Sequence, residues 1–397
     1  MSRHIYTVFD QHCCGKQRAI GELAFEQTDT RGVTQAQFRY LADYLKQTQA
    51  RSIDPVNLPL NNEVFNFTQL PGALNDVLPD RWGREVALKL NNITRNNISG
   101  LIDWVSEHHI GSLSFAKRGQ QPAKRAIGPS MNALTRLDTE SNKFEETATP
   151  LIADEWAITL ASGASVGGAR RKTLVSEGQN GYLVKFSQKT DRINLPRVEH
   201  ATMTLAEKAG IPVADTQIKQ VNNKDALVVT RFDIVKGLPC KQILSFDTLL
   251  NGQASHYGEL AQIIIKQVST SRLEACLKQL FQQMCFNICI NNTDDHLKNF
   301  SLLRNEKGWH ISPAYDLVPS TSVGEYHQLG FDNSATPPKG KALIQYAERY
   351  FHLNGKKSRQ IIDACEKEIA EWQQHFSDTG VTEKDINYLE NVITARL

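Results

Sequence analysis

An excess of positive charge is what this sequence most clearly lacks: 45 Lys and Arg stand against 43 Asp and Glu, a formal net charge of +2. A protein that holds nucleic acid through its phosphates needs a basic surplus, so direct DNA binding is not the expected activity. No stretch approaches the roughly 18 continuous apolar residues of a membrane-spanning helix, and the opening MSRHIYTVFDQHCCGKQ has no signal-peptide core. The expectation is a cytoplasmic chain with no membrane partner. Cysteine is also sparse: the seven (Cys13, Cys14, Cys240, Cys276, Cys285, Cys289 and Cys365) are odd in number, scattered, and form no CxxC pair. That excludes a disulfide framework and a zinc ribbon, and predicts reduced thiols. Cys285 and Cys289 sit four apart in the apolar run FQQMCFNICI and read as one packed helix face. His108 and His109 lack an HExxH context and read as surface or packing residues.

What is present has the composition of an ordinary globular chain, with 40% apolar and 22% charged residues over 397 positions, too long for a single core. Residues 1–117 mix strand patterns (IYTVF, IGELAF, IGSLSFA) with helical ones (AQFRYLADYLKQ, LNDVLPDRWGREVALKL), predicting an α+β unit. Residues 118–150 turn polar and lose periodicity, which predicts an exposed linker. Residues 151–237 read as a small antiparallel sheet: KTLV, a turn at SEGQNG, GYLVKFS, then DTQIKQV, a turn at NNKD, and ALVVTRFDIV. One helix is inserted there, with Pro196 in its first turn, Val198, Ala201, Leu205 and Ala209 at helical spacing, and Gly210 and Pro212 closing it. Residues 238–397 are mainly helical, with helices expected over 272–290, 358–376 and 382–396.

The chemistry concentrates in INNTDDHLKNFSLLRNEKGWHISPAYDLVP, residues 290–319. Asp294 and Asn299 stand in a D-x4-N arrangement after an apolar helix, and a hairpin (FSLLR, NEKG, WHIS) then returns the chain to Asp316. Phosphoryl transfer is mostly positioning and charge stabilisation; it needs oxygen ligands for Mg²⁺ and an acceptor near the attacking hydroxyl. Asn299 and Asp316 suit the first role and Asp294 the second. The bland reading of the acidic cluster is helix capping and Asx turns. A second feature, SGASVGGARRKTLV, places Gly163, Gly167 and Gly168 in a loop that enters a strand. Successive N–H groups there can face a phosphate, or the loop is only a tight turn. It is not a Walker A loop, because Ala169-Arg170 follows where Lys-Ser/Thr is required. Lys185 in GYLVKFS is a candidate phosphate ligand, with Glu199 on the next helix as its partner, against an edge-strand lysine reaching solvent.

At these residues the sequence resembles the HipA family of bacterial serine/threonine kinase toxins, over nearly its whole length. SVGGARRKT is similar to the family's phosphate loop, YLVKF to its nucleotide-lysine strand, RFD at 231–233 to its hinge, NTDDHLKNF to its catalytic loop and AYDL to its metal-binding motif. The resemblance implies an α+β, two-lobed, protein-kinase-like fold with an N-terminal α+β subdomain and a mainly helical C-terminal lobe. It implies ATP and Mg²⁺ as cofactors, Asp294 as the catalytic residue, and Asn299 and Asp316 as metal ligands. Ser165, Val166, Gly167, Gly168 and Lys185 would bind the ATP phosphates, Phe232 and Tyr315 would flank the nucleotide, and His296 would lie near the phosphates. Ser165 is the candidate for autophosphorylation, with Arg170, Arg171 and Lys172 as partners for the phosphoserine. The implied partners are a protein substrate, with translation factors such as aminoacyl-tRNA synthetases the family's known class, and a helix-turn-helix antitoxin through which alone DNA would be met. Arg170-Arg171 departs from the family's usual loop, as does KQILSFDTLLN after the hinge, which suggests a divergent branch. The competing reading is a catalytically inactive kinase-fold module that holds nucleotide or a partner without turnover.

Overall fold

The computed structural model describes residues 2–12, 16–28, 32–104, 109–146, 170–321 and 326–393. They fall into two compact units. The first comprises Met1–Phe186, Val221–Asn223 and Thr230–Leu244; the second comprises Ser187–Gln220, Lys224–Val229 and Ser245–Leu397.

In the first unit, β1 (Ser2–Asp10), β2 (Arg18–Thr28), β3 (Gly32–Tyr40), β4 (Phe65–Phe67) and β5 (Leu113–Lys117) form an antiparallel sheet in the order β4-β3-β2-β1-β5. Alternation sets its inner face: Tyr6 and Val8, Leu23 and Phe25, and Ala36 and Phe38 all join the buried cluster. Here the structure corrects one expectation. AQFRYLADYLKQ carries a helical pattern, yet residues 36–40 end β3 and only Ala42–Leu45 is helical. Ala36, Phe38 and Tyr40 are buried while Gln37 and Arg39 are not, a period of two that outweighs the helical spacing of the longer segment.

The polar segment 118–150 also differs from an exposed linker. Leu134–Glu146 is a helix, and Leu134, Leu137 and Phe144 are buried, with Phe144 edge-on to Trp82. Three apolar residues at helical spacing suffice to dock a helix whose other face is charged. After it, β6 (Lys172–Glu177) and β7 (Asn180–Phe186) make the expected hairpin, with Gly178 at φ +59° in the turn.

The second unit carries the expected helix as Leu195–Lys208, capped by the Asn194 side chain on the Arg197 N–H, with Pro196 in the first turn. Thr216–Val221 and Lys224–Thr230 are neighbouring strands, joined through Asn222 and Asn223 at φ +49° and +60°. Asparagine tolerates that left-handed pair, which a two-residue hairpin turn requires. The long helix Thr270–Ile290 has its last eleven residues buried throughout. Cys285 and Cys289 therefore lie in the core, where burial pushes both thiols well up, and with Cys276 and Cys365 they are free thiols. The expected 358–376 helix divides into Gly355–Ala370 and Trp372–Asp378, and the last helix is Glu383–Leu389. Among the described residues no helix is long and apolar enough to cross a membrane.

Candidate active site

The end of the Thr270–Ile290 helix builds the site. Asn291 adopts a left-handed C-cap at φ +58°, ending the helix and turning the chain outward. Asn292, also buried, returns its amide to Asn287 Oδ1 at 3.1 Å, while Asn287 donates to the Tyr257 hydroxyl at 3.1 Å. Tyr257 in turn donates to Asp295 Oδ2 at 2.5 Å. Asp295 is fully buried, and it also meets His327 Nδ1 at 2.8 Å and the backbone N–H groups of Gln328 and Leu329 at 2.9 and 3.3 Å. Thr293 is pinned through its N–H and hydroxyl to Ser320 Oγ at 2.9 and 2.8 Å. A loop held on both sides by hydrogen-bonded and largely buried polar groups has little freedom to move.

The next carboxylate points the other way. Asp294 is exposed, and it accepts a hydrogen bond from Gln328 Nε2 at 2.6 Å. Its pKa is raised, first by burial of the parts of the group that water does not reach, then by the charges of Asp316 and Asp295. His296 and the Gln328 hydrogen bond oppose the shift. Asn299 closes the short 3₁₀ turn Leu297–Asn299 and spends its amide N–H on the Asp294 carbonyl at 2.9 Å, which leaves Oδ1 as its remaining donor atom. The expected hairpin follows as Ser301–Asn305 and Gly308–Ile311, with Leu302 opposite Ile311. It returns the chain to Tyr315, whose hydroxyl meets Ser301 Oγ at 2.6 Å and the Lys298 carbonyl at 2.8 Å. Asp316 then adopts φ +59°. Left-handed backbone at a non-glycine residue costs free energy and is concentrated at sites where side-chain direction matters.

The second unit therefore gathers Asp294, His296, Asn299, Tyr315 and Asp316, with Asp294 and Asp316 in electrostatic reach of each other. Asp316 and Asn299 offer carboxylate and amide oxygen, the hard donors that Mg²⁺ takes. Among the described residues there is no cluster of three or more His, Cys, Asp or Glu. Few protein ligands is the pattern for a cation that completes its shell with substrate phosphates and water, so this donor set fits Mg²⁺ and does not fit a structural zinc.

Lys185 and Phe232 belong to the first unit and Glu199 to the second. Lys185 is half-buried in β7, where Tyr182, Leu183, Val184 and Phe186 are buried. Glu199 is 8% exposed, buried within its helix and not a solvated acid on its surface. Phe232 lies between Arg231 and Asp233, which turn inward: Arg231 holds Asp233 through two bonds of 3.0 and 2.7 Å, and Gly111 N–H adds a third at 2.8 Å. The charged flanks are buried and the aromatic ring is half-exposed, the reverse of the usual preference.

Ser165, Val166, Gly167 and Gly168 lie outside the described residues. Two of the basic residues expected as phosphoserine partners pair with acids of the first unit. Arg171 is 0% exposed and donates to Asp138 Oδ1 and Ser141 Oγ at 3.1 and 2.8 Å. Lys172 is buried against Asp80 Oδ2 at 2.9 Å, and Asp80 also caps the helix Arg81–Asn91. Asp295 was visible in the sequence as the second half of a doubled aspartate, but read only as a capping residue. Gln328 and His327 carried no signal, because both reach the loop from a segment without a motif.

Comparison with known proteins places these residues in a family. The family model for the HipA-like C-terminal domain matches residues 164–373, and that for the HipA N-terminal domain matches residues 13–116. The candidate kinase Y4mE of Sinorhizobium fredii is 24% identical over 374 residues, 86% of this chain and 87% of that protein. The serine/threonine-protein kinase toxin HipA of Shewanella oneidensis is 24% identical over 347 residues, 78% of this chain and 75% of that protein. In a solved complex of HipA, HipB and operator DNA from the toxin-antitoxin system of S. oneidensis MR-1, one chain matches with a TM-score of 0.70. That match has 17% identity and covers 98% of this chain and 95% of the other, so the fold is the α+β, kinase-like fold expected from the motifs. With one family model spanning more than half of the sequence and a second covering most of what precedes it, the chain belongs to the HipA family.

Proposed function

We propose that this chain is an ATP- and Mg²⁺-dependent serine/threonine protein kinase. The observation that carries the reading is the convergence of Asp294, Asn299 and Asp316 at the end of one buried helix, with two carboxylates close enough to disfavour each other's charge. Such crowding is costly without a cation and becomes favourable with one. In this reading Asp316 and Asn299 hold Mg²⁺, which supplies charge neutralisation at the transferring phosphate. Asp294 accepts the proton of the substrate hydroxyl, and its raised pKa brings it nearer the working range of a base. Gln328 orients that carboxylate. Lys185 and the loop at Ser165–Gly168 hold the phosphates, Phe232 and Tyr315 flank the base, and Ser165 is the autophosphorylation site. The substrate is a protein, with a translation factor the class suggested by the family. An antitoxin partner is proposed by analogy with the S. oneidensis HipA, which was solved with HipB and operator DNA.

The test is incubation with γ-labelled ATP and Mg²⁺, wild type beside Asp294→Asn. Label is expected on wild-type protein, and the variant should lose about 10²- to 10⁴-fold in rate while still binding nucleotide. Equal labelling by the two would remove Asp294 from the chemistry. Nucleotide binding without label in either would favour an inactive kinase-fold module.

A further inference from the structure

The segment that returns to the candidate active site from beyond Asp316 carries a side chain that neither the fold nor the proposed chemistry uses. Tyr326 is 74% exposed. Among the described residues the other exposed large hydrophobics are Val56, Leu60 and Val64, all in the first unit, so Tyr326 is the one such side chain of the second. A single exposed apolar residue is ordinary in itself. What sets Tyr326 apart is its place: two residues on, Gln328 donates to Asp294 Oδ1 at 2.6 Å.

The segment is fixed. Its backbone N–H groups from His327 to Phe331 are all bonded within the unit: His327 to the Ala335 carbonyl at 3.2 Å, Gln328 and Leu329 to Asp295 Oδ1 at 2.9 and 3.3 Å, Gly330 to Ser255 at 2.8 Å, and Phe331 to Ser334 at 2.6 Å. His327 and Leu329 are buried, while Tyr326 and Gln328 are exposed. The two outward side chains therefore stand on a ledge whose inner side is committed to the protein. Two residues of chain span at most about 7 Å, so a peptide whose hydroxyl reaches Asp294 brings residues two or three positions away within reach of Tyr326.

We propose that Tyr326 is a specificity-determining contact for the protein substrate, its ring receiving a bulky apolar residue two or three positions from the acceptor serine or threonine. The proposal rests on the kinase reading and names a substrate feature which that reading leaves open. Tyrosine offers a large, stiff contact area at little entropic cost and is enriched where binding energy concentrates. A charged substrate residue finds no opposite charge on Tyr326–Leu329, because Gln328 is neutral and His327 is turned inward to Asp295.

The experiment uses the full-length protein with Mg-ATP and a peptide set in which a central Ser or Thr is flanked by Gly and Ala, each flanking position carrying Leu, Phe, Glu or Arg in turn. Wild type is expected to favour Leu or Phe at one position two or three residues from the acceptor. Tyr326→Ala should erase that preference by raising the KM for the favoured peptide about tenfold, with the KM for ATP unmoved. Its melting temperature should match wild type's, since the side chain is exposed. Tyr326→Phe should restore the preference. A residue that only propped the segment would instead change all peptides alike. Retention of the apolar preference by Tyr326→Ala, or selection of Arg at that position by wild type, would overturn the proposal and leave the kinase reading standing. Label on the protein itself but on no peptide would do the same, whereas no label anywhere would remove both.

Discussion

Two charged runs of this sequence look equally functional on paper, and the fold treats them in opposite ways. Arg170-Arg171-Lys172 follows a glycine loop; Asp294-Asp295-His296 follows a buried helix. In the first run two of the three charges are sunk into ion pairs within their own unit, Arg171 with Asp138 and Lys172 with Asp80. In the second, one aspartate is consumed as a buried anchor and the other is held at the surface beside a further carboxylate, Asp316. Charge neutralised inside the protein stabilises one conformation. Charge left in excess and geometrically fixed is available to something that is not protein. The difference lies in the partners, which the local sequence of either run does not contain.

The comparison is tested most severely by breaking a pair that it calls structural. Asp138→Ala removes a carboxylate with which the fully buried Arg171 pairs, and removing one partner of a buried pair costs about 3–5 kcal/mol. Thermal or denaturant unfolding should report that loss. Replacing both partners, as Arg171→Met with Asp138→Leu, should recover part of the loss, because the desolvation of two charges disappears while Asn142 and Asn222 lose the acceptor that Asp138 gives them. The doubly substituted protein should also retain its rate of phosphoryl transfer. A folded double variant that has lost transfer would show that the 170–172 run serves chemistry after all.

A smaller effect is expected from the second run. Asp316→Gly removes the carboxylate and leaves a residue that accepts φ +59° without strain. A ligand at a hundred times its Kd stabilises by about 2.7 kcal/mol, and this increment should appear in wild type with Mg-ATP and vanish in the variant. An Asp316→Gly protein whose melting temperature still rises with Mg-ATP as wild type's does would remove Asp316 from the metal site.

Much of the frame was legible before any coordinates. The Asn194–Pro196 start of the inserted helix, the hairpins at Gly178 and at Asn222-Asn223, and the hairpin between Asp294 and Asp316 all rest on local rules of capping and turn conformation. Local rules also explain the failures. Residues 36–40 satisfy helix and strand periodicities together, and only pairing with β2 and β4 decides for the strand. The 134–146 helix hides in a polar stretch because three apolar residues are enough once Trp82 and its neighbours are there to receive them. Within the site, the spacing of Asp294, Asn299 and Asp316 could be read from the chain, whereas Gln328 and His327 act from a distant segment and depend on tertiary contact.

The smallest effect separates the neighbours Asp294 and Asp295. In the folded protein the pKa of Asp294 is raised, first by burial and then by Asp316 and Asp295. A raised carboxyl pKa means that the folded state binds this proton more tightly than the unfolded chain does. Stability therefore falls as pH climbs from the unfolded value, about 3.9, through the folded one, and the penalty is fully present at neutral pH. Asp294→Asn removes the ionised form. Without nucleotide or Mg²⁺, the variant should melt about 1–2 °C above wild type at neutral pH, a modest figure because Asp294 is exposed and water screens its charge. The advantage should shrink as the pH is lowered and disappear below the unfolded pKa, where both proteins carry a neutral side chain. Asp295→Asn should do the opposite at neutral pH, since that carboxylate receives the Tyr257 hydroxyl and two backbone N–H groups, and an amide presents a donor where an acceptor is needed. Scanning calorimetry of both variants across that pH range is the measurement. If Asp294→Asn melts below wild type at neutral pH, or if its advantage does not change with pH, Asp294 does not carry the uncompensated charge that distinguishes the second run from the first.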